Sequence, residues 1–152
     1  MNIVPPPKSP LSPSSIKNIH QVPRILIADE RPVEALAIES MLQRDRYQHI
    51  RVTNDVREIV PMLDSWGFDL LIMDMHATLI DGAEILRKLA KQVERGELSL
   101  IAITNPGHEP ARLSALVAGA SDALIRPVSQ TDLLPMVRHA LNTKAWGLGI
   151  TT

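Results

Sequence analysis

Acidic, hydroxyl and guanidinium side chains stand where short apolar runs stop. Asp29 and Glu30 follow an apolar run at residues 25–28, and Asp74 follows one at 68–73. Thr104 follows the run at 98–103, and Arg126 follows the run at 123–125. In an open α/β sheet such positions lie at the carboxyl ends of the strands, where ligands bind. Three carboxylates brought together repel, and each has a raised pKa unless a cation joins them. A hard divalent ion with oxygen ligands, Mg²⁺ above all, answers that need. A hydroxyl and a guanidinium facing the same cleft suit the oxygens of a phosphoryl group. The chemistry indicated is phosphoryl transfer to a carboxylate, with Asp74 attacking phosphorus.

The elements that must position these residues alternate along the chain. The apolar runs at 25–28, 50–53, 68–73, 98–103 and 123–125 read as parallel strands covered on both faces. Between them lie helical patterns. Val33, Leu36, Ala37, Ser40 and Met41 form one stripe, and Leu113, Leu116, Val117 and Ala120 form another. Asp55 and Glu58 flank a helix start whose helix contains Pro61. Asp81 and Glu84 make a capping-box pair ahead of Ile85, Leu86, Leu89 and Val93, and Gly96 marks that helix's end. Ser129 or Thr131 caps a last helix carrying Leu133, Leu134, Val137, Ala140 and Leu141, with Pro135 inside it. Five strands and five helices in strict alternation predict a flavodoxin-like doubly wound parallel sheet, strand order 2-1-3-4-5.

Composition narrows the function classes. The 152 residues suit one domain, and 16 basic against 17 acidic residues give a net charge of −1. That balance argues against a nucleic-acid clamp, and aromatics at 3% leave few rings for stacking on bases. No apolar run is long enough to cross a membrane, and the absence of Cys excludes disulfides and thiolate metal sites. Six of the 12 prolines lie in residues 1–23 among several serines, which predicts a disordered tail without a signal-peptide core. The expected organisation is a tail at 1–23, a domain at 24–142, and a tail or linker start at 143–152, in a cytoplasmic protein.

Four segments in this order resemble the receiver domain of bacterial two-component response regulators. They are residues 24–32 around Asp29-Glu30, residues 68–82 around Asp74, residues 101–104 ending in Thr104, and residues 119–127 ending in Arg126-Pro127. The resemblance covers residues 24–142. It implies that Asp74 is the phosphoacceptor, and that Asp29, Glu30, Asp74 and the backbone carbonyl of His76 hold Mg²⁺. It implies that Thr104 turns toward the phosphoryl group and that Arg126 takes the place of a phosphate-binding Lys, its bond to Pro127 being cis. A histidine kinase or phosphotransfer protein would donate the phosphoryl group. The responsive surface, and a possible homodimer contact, would be the fourth helix, fifth strand and fifth helix. Output would pass to an output domain or a partner protein, the chain being either a stand-alone regulator or the amino-terminal piece of a longer one.

The chain departs from the family pattern at four places. Arg126 replaces Lys, and a planar bidentate guanidinium is not equivalent to a point charge. The acidic pair is Asp-Glu in place of Asp-Asp. Thr78 replaces a Pro, which predicts a looser loop after Asp74. Ala123 stands where the family has Tyr or Phe, which removes the ring that reports phosphorylation. A second reading therefore keeps the fold without phosphorylation: an Arg126–Asp74 ion pair locks one state of an interaction module. A third is a haloacid-dehalogenase-like phosphatase, since residues 74–81 resemble that family's first motif. There, however, His76 stands in the place of the general acid, and the motif falls on the third strand. A flavodoxin lacks support, because no Ser/Thr/Gly-rich phosphate loop follows strand one. Plainer roles also fit single residues: helix caps for Asp29 and Asp81, a turn for Thr104, and a surface ion pair for Arg126. His20, His49, His108 and His139 show no metal-ligand spacing.

Overall fold

Five parallel strands alternate with five helices, as the apolar runs predict. The computed structural model of the chain describes residues 22–78 and 81–147, with side chains to residue 142. The strands are β1 (Arg24–Ala28), β2 (His49–Thr53), β3 (Leu70–Asp74), β4 (Ser99–Thr104) and β5 (Asp122–Ile125). The helices are α1 (Pro32–Arg44), α2 (Ile59–Ser65), α3 (Gly82–Glu94), α4 (Glu109–Val117) and α5 (Gln130–Gly147), with a 3-10 turn at Val56–Glu58 before α2. The sheet order is β2-β1-β3-β4-β5. The predicted tail at 1–23 lies outside the described residues up to residue 21, and α5 continues past residue 142 to Gly147.

The inner strands are apolar because both of their faces are covered. Ile25, Ile27, Leu70, Ile72, Ile101 and Ile103 pack beneath α1 and α5. Leu26, Leu71, Met73, Leu100 and Ala102 pack beneath the opposite layer, with Ile59, Ile85, Leu86 and Leu89. Strand β2 is an edge and only half-buried, which explains its weaker run.

Local signals set the helix starts. Asp81 accepts from the Ala83 amide at 3.1 Å and Ser129 Oγ accepts from the Asp132 amide at 3.2 Å. Asp55 caps the 3-10 turn through the Arg57 amide at 2.9 Å, and not α2 itself. Pro61 then falls in the first turn of α2, where a missing N–H costs little.

One helix turns a different face inward from the one its pattern predicts, and a second does so in part. On α1 the buried residues are Ala35, Ile38 and Leu42. Leu36 is exposed, Val33 is 79% exposed, and only Met41 of the predicted stripe is partly buried. Both sets have helical spacing, and contact with β1 and α5 selects the inner one. Of the stripe predicted for α4, Leu116 is half-buried and Ala120, just past the helix, is buried beside Ala115, whereas Leu113 is exposed and Val117 is 88% exposed. Small residues let α4 sit close to the sheet, and the larger aliphatics are left outward.

Helix α5 is tied to the sheet centre by one buried hydroxyl. Ser99 Oγ, at the start of β4, donates to the Ala140 carbonyl at 2.8 Å. Ser99→Ala is expected to cost about 1 kcal/mol of unfolding free energy, the net worth of one buried hydrogen bond. Urea denaturation followed by circular dichroism checks it.

Candidate functional site

Four side chains from four elements meet at the carboxyl edge of the sheet. Asp29 follows β1, Asp74 ends β3, Glu34 lies in the first turn of α1, and Arg126 follows β5. The Asp29 amide donates to the Thr53 carbonyl at 3.0 Å, and Asn54 Nδ2 donates to the Asp29 carbonyl at 2.9 Å. These bonds fix the Asp29 backbone against the end of β2. The Arg126 amide donates to the Thr104 carbonyl at 2.9 Å, which fixes that backbone against β4. The Arg126–Pro127 bond is cis.

The Arg126 guanidinium bridges the three carboxylates. Its Nη2 donates to Asp29 Oδ1 at 3.0 Å and its Nη1 to Asp29 Oδ2 at 3.1 Å, a two-pronged fork. The same Nη2 stands 3.2 Å from Asp74 Oδ2, and Nη1 also donates to Glu34 Oε1. Arg126 is 5% exposed and Asp29 fully buried, so water contributes little to their neutralisation. The other Glu34 oxygen pairs with Arg31 at 3.1 Å.

Burial pushes the Asp29 carboxyl above its ordinary pKa, although the Arg126 hydrogen bonds and charge and the Arg31 amide oppose it; the Asp74 charge adds to the rise. Burial works against the Arg126 charge, yet the bonds and charges of Asp29, Asp74 and Glu34 hold its pKa above the ordinary value. Burial also raises Glu34, but hydrogen bonds from Arg31 and Arg126 outweigh it, leaving the carboxyl below its usual value.

Glu30 does not join this cluster. Both of its oxygens accept from the Thr78 amide at 3.1 Å, and Oε2 accepts from Thr78 Oγ1 at 2.6 Å. The extra methylene of Glu lets the carboxylate reach across to the loop after β3. A proline at 78 has neither the N–H nor the hydroxyl for these bonds. Two departures from the family pattern are therefore linked: the Glu of the acidic pair holds the Thr that replaces Pro. The loop expected to be loose at this residue is pinned there.

The remaining predicted residues are accounted for. Asp74 Oδ1 accepts from the His76 amide at 2.8 Å. The His76 ring lies 4.8 Å from that of His108, and burial, then the His108 and Arg126 charges, lower its pKa. Thr104 Oγ1 donates to the Leu124 carbonyl at 3.2 Å, within the sheet. Ala123 is buried among the apolar residues beneath α3 and α4.

The donor set fits Mg²⁺ poorly in this arrangement. Both oxygens of Asp29 and one of Asp74 face the guanidinium, the other Asp74 oxygen holds an amide, and Glu30 is engaged elsewhere. Among the described residues no group of three or more His, Asp or Glu side chains is placed to hold a metal. Glu34 is the site residue that sequence reasoning misses. It stands one helical turn beyond Glu30, in a first turn where any acid is favoured by the helix dipole, so its position carries no separate signal.

Comparison with known proteins is consistent across sequence and structure. The sequence profile of the family described as response regulator receiver domain matches residues 25–138. Protein PilH of Pseudomonas aeruginosa is 27% identical over 118 residues, 78% of this chain and 97% of that protein. The two-component response regulator ORR25 of Oryza sativa subsp. japonica is 30% identical over 118 residues, 76% of this chain and 16% of the rice protein. The chain thus spans only 16–17% of the length of the rice relatives ORR25 and ORR23. In fold it resembles a receiver domain protein from Clostridium thermocellum, with a TM-score of 0.73 at 24% identity, covering 82% of this chain and 98% of that one. It also resembles NtrX from Brucella abortus, with a TM-score of 0.77 at 20% identity, covering 86% of this chain and 29% of that one. Bacterial and plant proteins both appear among these relatives, so the likeness assigns no kingdom.

Proposed function

The chain belongs to the response regulator receiver family, and on that premise we propose that it is a signalling interaction module whose acidic cluster is neutralised from within. The observation that carries this reading is the Arg126 guanidinium bridging Asp29, Asp74 and Glu34. In this reading the guanidinium does the work of the divalent ion that the family's acidic site otherwise needs. The site then sets one conformation and takes no phosphoryl group. The module is not an enzyme. Its outputs are protein contacts, a second copy of the chain among them. Supporting that, Leu113 and Val117 of α4 and Ile125 of β5 are exposed aliphatics on the elements expected to respond. Among the described residues no helix is long and apolar enough to cross a membrane, and we place the module in the cytoplasm with its signalling partners.

A second reading keeps the phosphoacceptor. Asp74 sits at the carboxyl end of β3, in register with Ile103, the residue before Thr104 on β4, with a cation in contact. A histidine kinase or phosphotransfer protein would then phosphorylate Asp74 with Mg²⁺, the charge of Arg126 taking up a phosphoryl oxygen. One experiment separates the two. Incubation of the chain with radiolabelled acetyl phosphate and Mg²⁺ is expected to leave no acid-labile label. Label that disappears in Asp74→Asn would establish the second reading and overturn the first.

A further inference from the structure

At the opposite, amino-terminal edge of the sheet two guanidiniums converge on one indole. Arg24 opens β1 and is paired in register with His49, which opens β2. Arg51 lies two residues further along β2, on the same face of the strand. Trp66 follows the end of α2. The Arg51 guanidinium carbon lies 4.0 Å from the centroid of the Trp66 ring, and that of Arg24 lies 5.6 Å away. Together with Gln48, His49 and Phe68 these residues line a cavity of about 150 Å³.

The Arg24 backbone here is held in place by the residue that precedes β3. The Arg24 amide donates to Asp69 Oδ2 at 2.8 Å, and the Asp69 amide donates to the Arg24 carbonyl at 2.8 Å, so the backbone is locked. Nη1 of Arg24 comes within 3.9 Å of the point a Cβ on Gly67 would occupy. Among the described residues neither the Arg24 nor the Arg51 guanidinium forms an ion pair. Stacking on the indole engages the guanidinium face and leaves its N–H groups directed outward in the plane. Two like charges gathered on one ring repel, and an anion between them removes that cost.

We propose that this cavity binds a phosphate group, shared between the Arg24 and Arg51 guanidiniums. A carboxylate has two oxygens and fills one guanidinium fork, whereas a tetrahedral phosphate offers oxygens to two forks at once. The cavity falls below the roughly 300 Å³ at which drug-sized pockets begin, which suits a compact headgroup. The site is separate from the acidic cluster, since the length of β1, about 13 Å from Arg24 to Ala28, lies between them.

The test uses the full chain carrying Trp146→Phe, so that Trp66 is the remaining indole. Inorganic phosphate, phenyl phosphate and acetate are each titrated at constant ionic strength against sodium chloride, with Trp66 fluorescence as readout. A saturable change with both phosphates is expected, with Arg51→Gln and Arg24→Gln each raising half-saturation about tenfold. Both arginines are exposed, and a thermal melt verifies that the variants fold. A lower half-saturation for phenyl phosphate identifies phosphate borne on an ester; an equal one identifies free phosphate. Chloride or acetate reproducing the change, a non-saturating response, or unaltered titration of Arg51→Gln would overturn the proposal.

Discussion

Arg126→Met lowers the unfolding free energy by about 3–5 kcal/mol at neutral pH, the expected loss when one partner of a buried ion pair is removed. Methionine keeps much of the length and apolar stem of arginine but none of its charge. Asp29, fully buried, and Asp74, 2% exposed, then face each other without a cation. In a domain of this size the melting temperature falls by roughly 10 °C or more.

The pH dependence has a definite sign. In the native chain burial already raises the Asp29 carboxyl above its ordinary value, against the pull of Arg126. Removing the guanidinium removes two of the influences that lower it, so its folded pKa rises further. A carboxyl raised on folding binds its proton more tightly in the native state. Stability therefore falls as pH rises from the unfolded value through the folded one. Glu34 has the opposite sign, because Arg31 and Arg126 hold it below 4.5, and the stability it contributes is present above that value. The variant loses part of this contribution as well. Both effects make the deficit of Arg126→Met largest near pH 7 and smaller near pH 4. Urea denaturation of both proteins at about those two pH values measures it. A deficit under about 1 kcal/mol, or one that does not shrink in acid, means the guanidinium is not the charge that holds the cluster together.

The sheet was legible because parallel strands buried on both faces have little choice of residue. Runs such as residues 98–103 admit few other readings, and their polar ends mark the edge where Asp29, Asp74 and Arg126 meet. Helix faces were less legible. On α1, Val33, Leu36, Ala37 and Ser40 match helical spacing as well as Ala35, Ile38 and Leu42 do. Which set points inward depends on how the chain leaves β1, and periodicity carries no record of that. The site was legible in its types and only partly in its connections. The Arg126–Asp74 contact follows from both residues standing at the carboxyl edge of the sheet, where a long guanidinium reaches from the end of β5 past β4 to β3. The Glu30–Thr78 bond spans 48 residues and depends on one methylene, which no local pattern encodes. Glu34 was hidden for the opposite reason, since its position is ordinary for an acid at a helix start.

Mg²⁺ separates an internal cation from an external one. At fixed ionic strength, about 10 mM Mg²⁺ is expected to leave the melting temperature of the native chain unchanged and to raise that of Arg126→Met. In the native chain the guanidinium occupies the oxygens of Asp29 and Asp74 that such an ion would use. The variant frees both carboxylates, with Glu34 at their margin, while Glu30 stays with Thr78. That is a weak donor set, for which a dissociation constant near 1 mM is a fair scale. Ligand linkage then returns about 1.4 kcal/mol to the variant at about 10 mM. Scanning calorimetry with Na⁺ as the matched control reads the difference directly. Equal stabilisation of both proteins would show that Mg²⁺ acts away from the cluster or displaces Arg126 without cost. No stabilisation of the variant would show that Asp29 and Asp74 are spaced for a guanidinium alone. In either case Arg126 could not be regarded as standing in for the metal. A selective rescue ties the loss of charge at residue 126 to the gain of a cation requirement.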